Sequence, residues 1–199
     1  MTAEEIAIRT PVWSAMSDLF LDTDVRIWYP WSARAIALSP YSFEELDLIF
    51  SDEVRPVLSV NMLMVAGEWA GFDTDWLVSK IVARGKPRHR SWLPQWKAAQ
   101  RDWESVVLLT KCLRKLDSAD LERRIQVWFQ LSKLFLHRNW PVPVFDPPLS
   151  KEQLDAIWSD EVWPAYNHAI DEYHKESAEF NPSVEEVQQS WIRIRNALS

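Results

Sequence analysis

Glycine is almost missing from this chain: three of 199 residues, at positions 67, 71 and 85. Tight β-hairpins rely on glycine where φ must be positive, so its scarcity argues against an all-β sandwich or barrel. It also removes the glycine-rich phosphate loops, since neither GxGxxG nor GxxxxGK occurs. Cysteine is nearly missing too. Cys112 stands alone, so no intrachain disulfide forms, as expected of a reducing cytoplasm. A small residue in a helix core is the preferred reading of Cys112 over a nucleophile. No apolar run approaches the roughly 20 residues of a membrane helix. The opening MTAEEIAIRTP is acidic and has no apolar stretch behind a basic one, unlike a secretion signal. HExxH and GxSxG are absent as well.

Aromatic residues are abundant. The chain is 47% hydrophobic and holds 13 tryptophans, enough to fill a core without staples. The net charge of −7 is unevenly placed. Residues 1–83 and 116–199 are acidic, whereas 84–115 are strongly basic. Helix signals dominate and no stretch reads as a strand, so the fold expected is an all-α bundle of eight or nine helices.

Parts of the sequence recur. PYSFEELDLIFSDEVRP from Pro40 matches PLSKEQLDAIWSDEVWP from Pro148 at an offset of 108, and Val12-Trp13 with Leu19-Phe20-Leu21 matches Val127-Trp128 with Leu134-Phe135-Leu136 at 115. A tandem duplication accounts for both offsets. The expected organisation is one domain, 1–199, made of two divergent copies (about 9–83 and 118–199) joined by a basic, helix-containing segment, 84–117.

Local signals place the helices. Thr10 before Pro11 reads as an N-cap with proline at the first helical position. Tyr29-Pro30-Trp31 reads as a break ahead of a short helix over 32–38. Ser42 with Glu45, Ser150 with Gln153 and Ser183 with Glu186 form capping boxes. SDEV, at 51–54 and 159–162, reads as the start of the next helix in each copy, with its acids at the positive helix end. Asp73 or Asp75 starts a helix that Gly85 ends. A longer helix runs from about Pro94 to Leu116, with Trp96, Ala99, Trp103, Val106, Thr110 and Leu113 on one apolar stripe. The proline-rich run at 139–149 is extended.

Candidate chemistry is sparse. His168, Asp171, Glu172 and His174 share one helix; His168 and Glu172, four apart, share a face while His174 points elsewhere, and a zinc site needs three or four converging ligands. A solvated face is the preferred reading. The repeated acids Asp52-Glu53 and Asp160-Glu161 could act as acid and base if brought together; charge at a helix start is the simpler explanation. GEWAGFDTDW, residues 67–76, mixes aromatics and acids either as a binding loop or as a tight helical corner. The basic run ARGKPRHRSWLPQWK from Ala83 interleaves cations with Trp92 and Trp96, a pattern that binds single-stranded nucleic acid, although the acidic remainder would repel phosphate.

The runs RTPVWSAMSDLFLDTDVR, SPYSFEELDLIFSDEVRPVL and AGEWAGFDTDWL resemble an uncharacterised bacterial protein family defined mainly by its first half, about residues 9–80 here. The resemblance implies a proteobacterial, cytosolic protein and carries no catalytic residue.

The function expected is therefore a non-catalytic, protein-binding one: a bacterial immunity protein that covers a cognate toxin or effector. Its contacts would be Glu68, Trp69, Phe72, Asp73 and Asp75, with Asp52, Glu53, Asp160 and Glu161. No catalytic residue, cofactor or metal is expected, and no membrane contact; a homodimer is compatible. An enzyme with a carboxylate or His168 site between the copies is the alternative. A nucleic-acid accessory using 84–101 is the third reading.

Overall fold

A computed structural model describes residues 1–59, 70–85, 96–136, 145–146, 148–173, 188–189, 191–192 and 195–196. Among them every regular element is helical, so the expected all-α class holds. The chain divides into two compact units, Met1–Trp103 and Glu104–Ser199, the division falling inside the basic 84–117 segment.

The N-terminal unit opens with α1, Ala3–Ser17. Its start corrects the expected N-cap at Thr10. Thr2 and Glu5 form a capping box that starts nine residues upstream of Pro11, and Pro11 lies inside the helix. A proline there withholds one backbone hydrogen bond. Val12, Trp13 and Met16 are fully buried around it, and packing of that order, about 1.5–3 kcal/mol per large side chain, exceeds the loss. Helix α2, Tyr29–Ala37, carries Pro30 in its first turn. The expected break is thus a helix start, where a missing N–H has no intrahelical acceptor to satisfy.

Helix α3, Phe43–Leu48, begins at the Ser42–Glu45 capping box as expected. It does not stop before SDEV. The chain passes through a π-helical turn, Ile49–Val54, and straight into α4, Arg55–Leu58. The C-terminal unit does the same: α8, Lys151–Ile157, behind its Ser150–Gln153 box, then a π turn, Trp158–Val162, then α9, Trp163–Tyr173. SDEV therefore starts no helix in either unit, and no side chain caps it there. Proline supplies a physical reason. Pro56 and Pro164 lack the N–H that would bond Asp52 and Asp160 four residues back, and their rings crowd those carbonyls. Opening the preceding turn by one residue relieves the clash without ending the helix. Counted as continuous rods, with each SDEV joining two elements, the helices among the described residues number seven, slightly below the eight or nine expected for the whole chain.

Helix α5, Thr74–Arg84, starts where Asp73 accepts the Trp76 N–H and ends at Gly85, whose φ of +66° suits glycine. Helix α6, Trp96–Leu113, buries Ala99, Trp103, Val106, Thr110 and Leu113 of the expected stripe, the Trp96 side chain lying outside the described set. Asp117 caps α7, Ser118–Leu136, by accepting from the N–H groups of Ala119 and Asp120. The Ser183–Glu186 box and most of the proline-rich run lie outside the described residues.

In the N-terminal unit α1 packs on α2, α5 and the π turn, over a core of Trp13, Met16, Phe20, Tyr29, Ile36, Leu46 and Phe50. Trp103 stacks on Phe50 with centroids 5.1 Å apart, and its indole N–H donates to Asp47 at 2.7 Å. The C-terminal unit centres on Ile125, Trp128, Leu131, Val162 and Tyr166. There Trp191 stacks on Trp158 at 4.9 Å.

Candidate functional site

Each π turn delivers a glutamate to the same kind of lock. In the N-terminal unit Glu53 accepts a charged hydrogen bond from Arg9 and, at 2.7 Å, the indole N–H of buried Trp13. In the C-terminal unit Glu161 accepts from Arg124 and, at 2.8 Å, from the indole of buried Trp128. Arg9 and Arg124 each precede their tryptophan by four residues, so both project from one face of α1 or α7. All four charged side chains are partly buried, at 18–26% exposure. The Arg-x-x-x-Trp spacing was visible at the offset of 115 already noted for Val12-Trp13; the sequence reading kept the tryptophans and overlooked the arginines.

Glu53 and Glu161, expected as partner contacts, are thus turned inward and engaged. Their neighbours differ. Asp52 is half-buried and accepts from the Ser51 hydroxyl at 3.0 Å. Asp160 is exposed and lines a cleft of about 360 Å³ together with Asp120, Arg123, Arg124, Leu149 and Gln153.

The 67–76 loop is described from Ala70 onward, so Glu68 and Trp69 lie outside. Phe72 stacks on Trp76 with centroids 6.1 Å apart, and Lys80 reaches over the same indole at 6.0 Å. Trp76 is 41% exposed. Asp73 and Asp75, both exposed, flank the pair. The loop places an apolar pair inside an acidic rim at the head of α5.

A buried polar cluster escaped the sequence reading. Tyr29, fully buried, donates its hydroxyl to Asp102. Burial pushes the Asp102 carboxyl up to about 7, against the opposing pull of the Tyr29 bond and of Arg101 and Arg26. Arg26 is held by Asp24 through two bonds, at 2.8 and 2.7 Å. Arg101, from the basic segment, is itself buried, so its charge faces the core rather than a phosphate backbone. Burial alone raises Asp18 to about 6. Only an apolar stripe carrying an aspartate, as α6 does at Asp102, could have signalled such a cluster.

His168 meets Glu104 at 2.8 Å, both well exposed; the side chains of Asp171, Glu172 and His174 lie outside the described set. Among the described residues no three His, Cys, Asp or Glu side chains gather closely enough to hold a metal ion. Cys112 is half-buried, and burial followed by the nearby Glu161 charge raises its thiol. No described helix is long and apolar enough to cross a membrane.

Comparison with known proteins gives one match. The model of a domain of unknown function, DUF7079, matches residues 7–117, more than half of the chain, which therefore belongs to that family. No curated protein and no solved structure matches it.

Proposed function

We propose that this member of the DUF7079 family works by binding another protein, without catalysis, as a bacterial immunity protein that covers a cognate toxin or effector in the cytoplasm. The observation that carries the reading is the exposed Trp76, stacked on half-buried Phe72 inside the Asp73 and Asp75 rim. An exposed tryptophan braced by a second ring is a favourable interface anchor, because its area is large and little side-chain freedom is lost on docking. An acidic rim on a chain of net charge −7 favours rapid encounter with a basic partner, as a nuclease-like or pore-like toxin would be. The glutamates with the best prospects for acid–base work, Glu53 and Glu161, are occupied by arginine and indole donors, which weighs against the enzymatic alternative. The recurrence of that lock, with a capping box and π turn beside it in each unit, supports descent of both from one duplicated helical element.

Co-purification from the native host followed by mass spectrometry tests the reading. The wild-type chain retains a basic protein, and a Phe72→Ser/Trp76→Ser variant of unchanged thermal stability loses it. Absence of any stable partner, or equal retention by the variant, contradicts the reading.

A further inference from the structure

The two locks differ in what lies against the arginine. In the N-terminal unit Tyr41, the residue just before the capping Ser42, covers Arg9: the guanidinium carbon sits 5.2 Å from the ring centroid. Around the Tyr41 phenol the charged neighbours are Arg9, Glu53, Glu45 and Glu5. In the C-terminal unit the residue just before the capping Ser150 is Leu149. Leucine has no ring to lay over a guanidinium. The space against Arg124 is open there, and it is the 360 Å³ cleft. Four of its polar wall residues occupy the positions equivalent to the charged neighbours of Tyr41, while Arg123 stands where the N-terminal unit has Ile8. Arg124 stands for Arg9, Glu161 for Glu53, Gln153 for Glu45, and Asp120 for Glu5. The floor is apolar, from buried Val127 and Ile157. Pairing with Glu161 fixes the Arg124 guanidinium by its edge, as pairing with Glu53 fixes Arg9 while a ring lies on it. A planar cation held this way offers its face to an aromatic ring.

We propose that this cleft is a docking site for a tyrosine side chain of a partner protein, which lies on Arg124 as Tyr41 lies on Arg9. Tyrosine is the occupant argued for because the chain itself uses tyrosine in the matching surroundings, with an apolar ring over the floor and a hydroxyl among polar walls. The proposal rests on the reading of the molecule as a protein binder but uses a different surface from Phe72 and Trp76, so the two fail separately.

The test is a titration of the full-length, isotope-labelled protein with N-acetyl-L-tyrosinamide, followed by NMR at the indole N–H signals. The expected result is one saturable site that shifts the Trp128 signal and leaves Trp13 unmoved, with N-acetyl-L-leucinamide weaker by about tenfold, the size of a partly desolvated cation–π contact. Leu149→Tyr supplies the ring in place and abolishes the site. Tyr41→Leu opens the matching space and adds a second site that shifts Trp13. No saturable shift at Trp128 overturns the proposal, and so does unchanged binding by a folded Leu149→Tyr protein. Tighter binding of free L-tyrosine than of the capped amide overturns it in favour of a free amino acid.

Discussion

Glu161→Ala puts the lock to a quantitative test. The substitution strips the acceptor from the Trp128 indole N–H, on a side chain with no exposed surface, and takes from Arg124 its carboxylate. A buried donor left without an acceptor costs about 1–3 kcal/mol. A partly exposed ion pair adds about 0.5–1 kcal/mol. The expected loss is therefore about 2–4 kcal/mol, a large part of a typical stability of about 5–15 kcal/mol. Glu161→Gln keeps an acceptor for the indole and loses only the charge, so its cost falls to about 1 kcal/mol. Urea denaturation monitored by tryptophan fluorescence and circular dichroism measures all of these. A double-mutant cycle with Trp128→Phe isolates the shared bond and is expected to show a coupling of about 1–2 kcal/mol. Glu53 with Trp13 is expected to behave alike. A Glu161→Ala protein within about 0.5 kcal/mol of wild type, or a cycle with no coupling, would refute the reasoning that these acids are structural.

Asp102 predicts a pH dependence. Its pKa is raised from the ordinary 3.8 to about 7 by burial, so between those values the folded chain holds a proton that the unfolded chain releases. Its contribution is fully present below about pH 4 and is lost as pH rises through about 7, an amplitude of order 4 kcal/mol; Asp18, raised to about 6, acts in the same direction. Urea midpoints taken from pH 4 to pH 8 should fall less steeply for Asp102→Asn than for wild type, and the variant should be the more stable at pH 8; parallel curves contradict this. Ser42→Ala and Ser150→Ala each remove a capping-box hydroxyl, at an expected cost of about 1 kcal/mol apiece. The two share no partner, so the double variant should lose the sum.

The helices were legible where a signal is local and redundant. Ser42–Glu45 and Ser150–Gln153 each pair a hydroxyl with a carboxylate or amide three residues on, and both boxes form. Asp73 and Gly85 bracket α5 for the same reason. Thr10-Pro11 misled because proline at a first helical position and proline inside a helix look alike locally. The Thr2–Glu5 box upstream and the burial of Val12, Trp13 and Met16 decide between them. SDEV misled more deeply. Serine and two acids imitate a helix start, and only the prolines after them, which open the turn without ending the rod, explain the π geometry. The candidate site divides along the same line. Phe72, Asp73 and Asp75 were found from composition and lie on the surface. The engagement of Glu53 and Glu161 depends on residues 44 and 37 positions away along the chain, beyond any local pattern.

Site-specific photocrosslinking tests most directly the idea that this molecule acts by contact through the head of α5. A photoreactive phenylalanine analogue replaces Trp76 in one strain of the native host and Trp28, which is similarly exposed, in another. Contact through the Phe72–Trp76 surface predicts one discrete crosslinked protein from position 76 and none from position 28. No discrete product from position 76, or the same products from both positions, would contradict it.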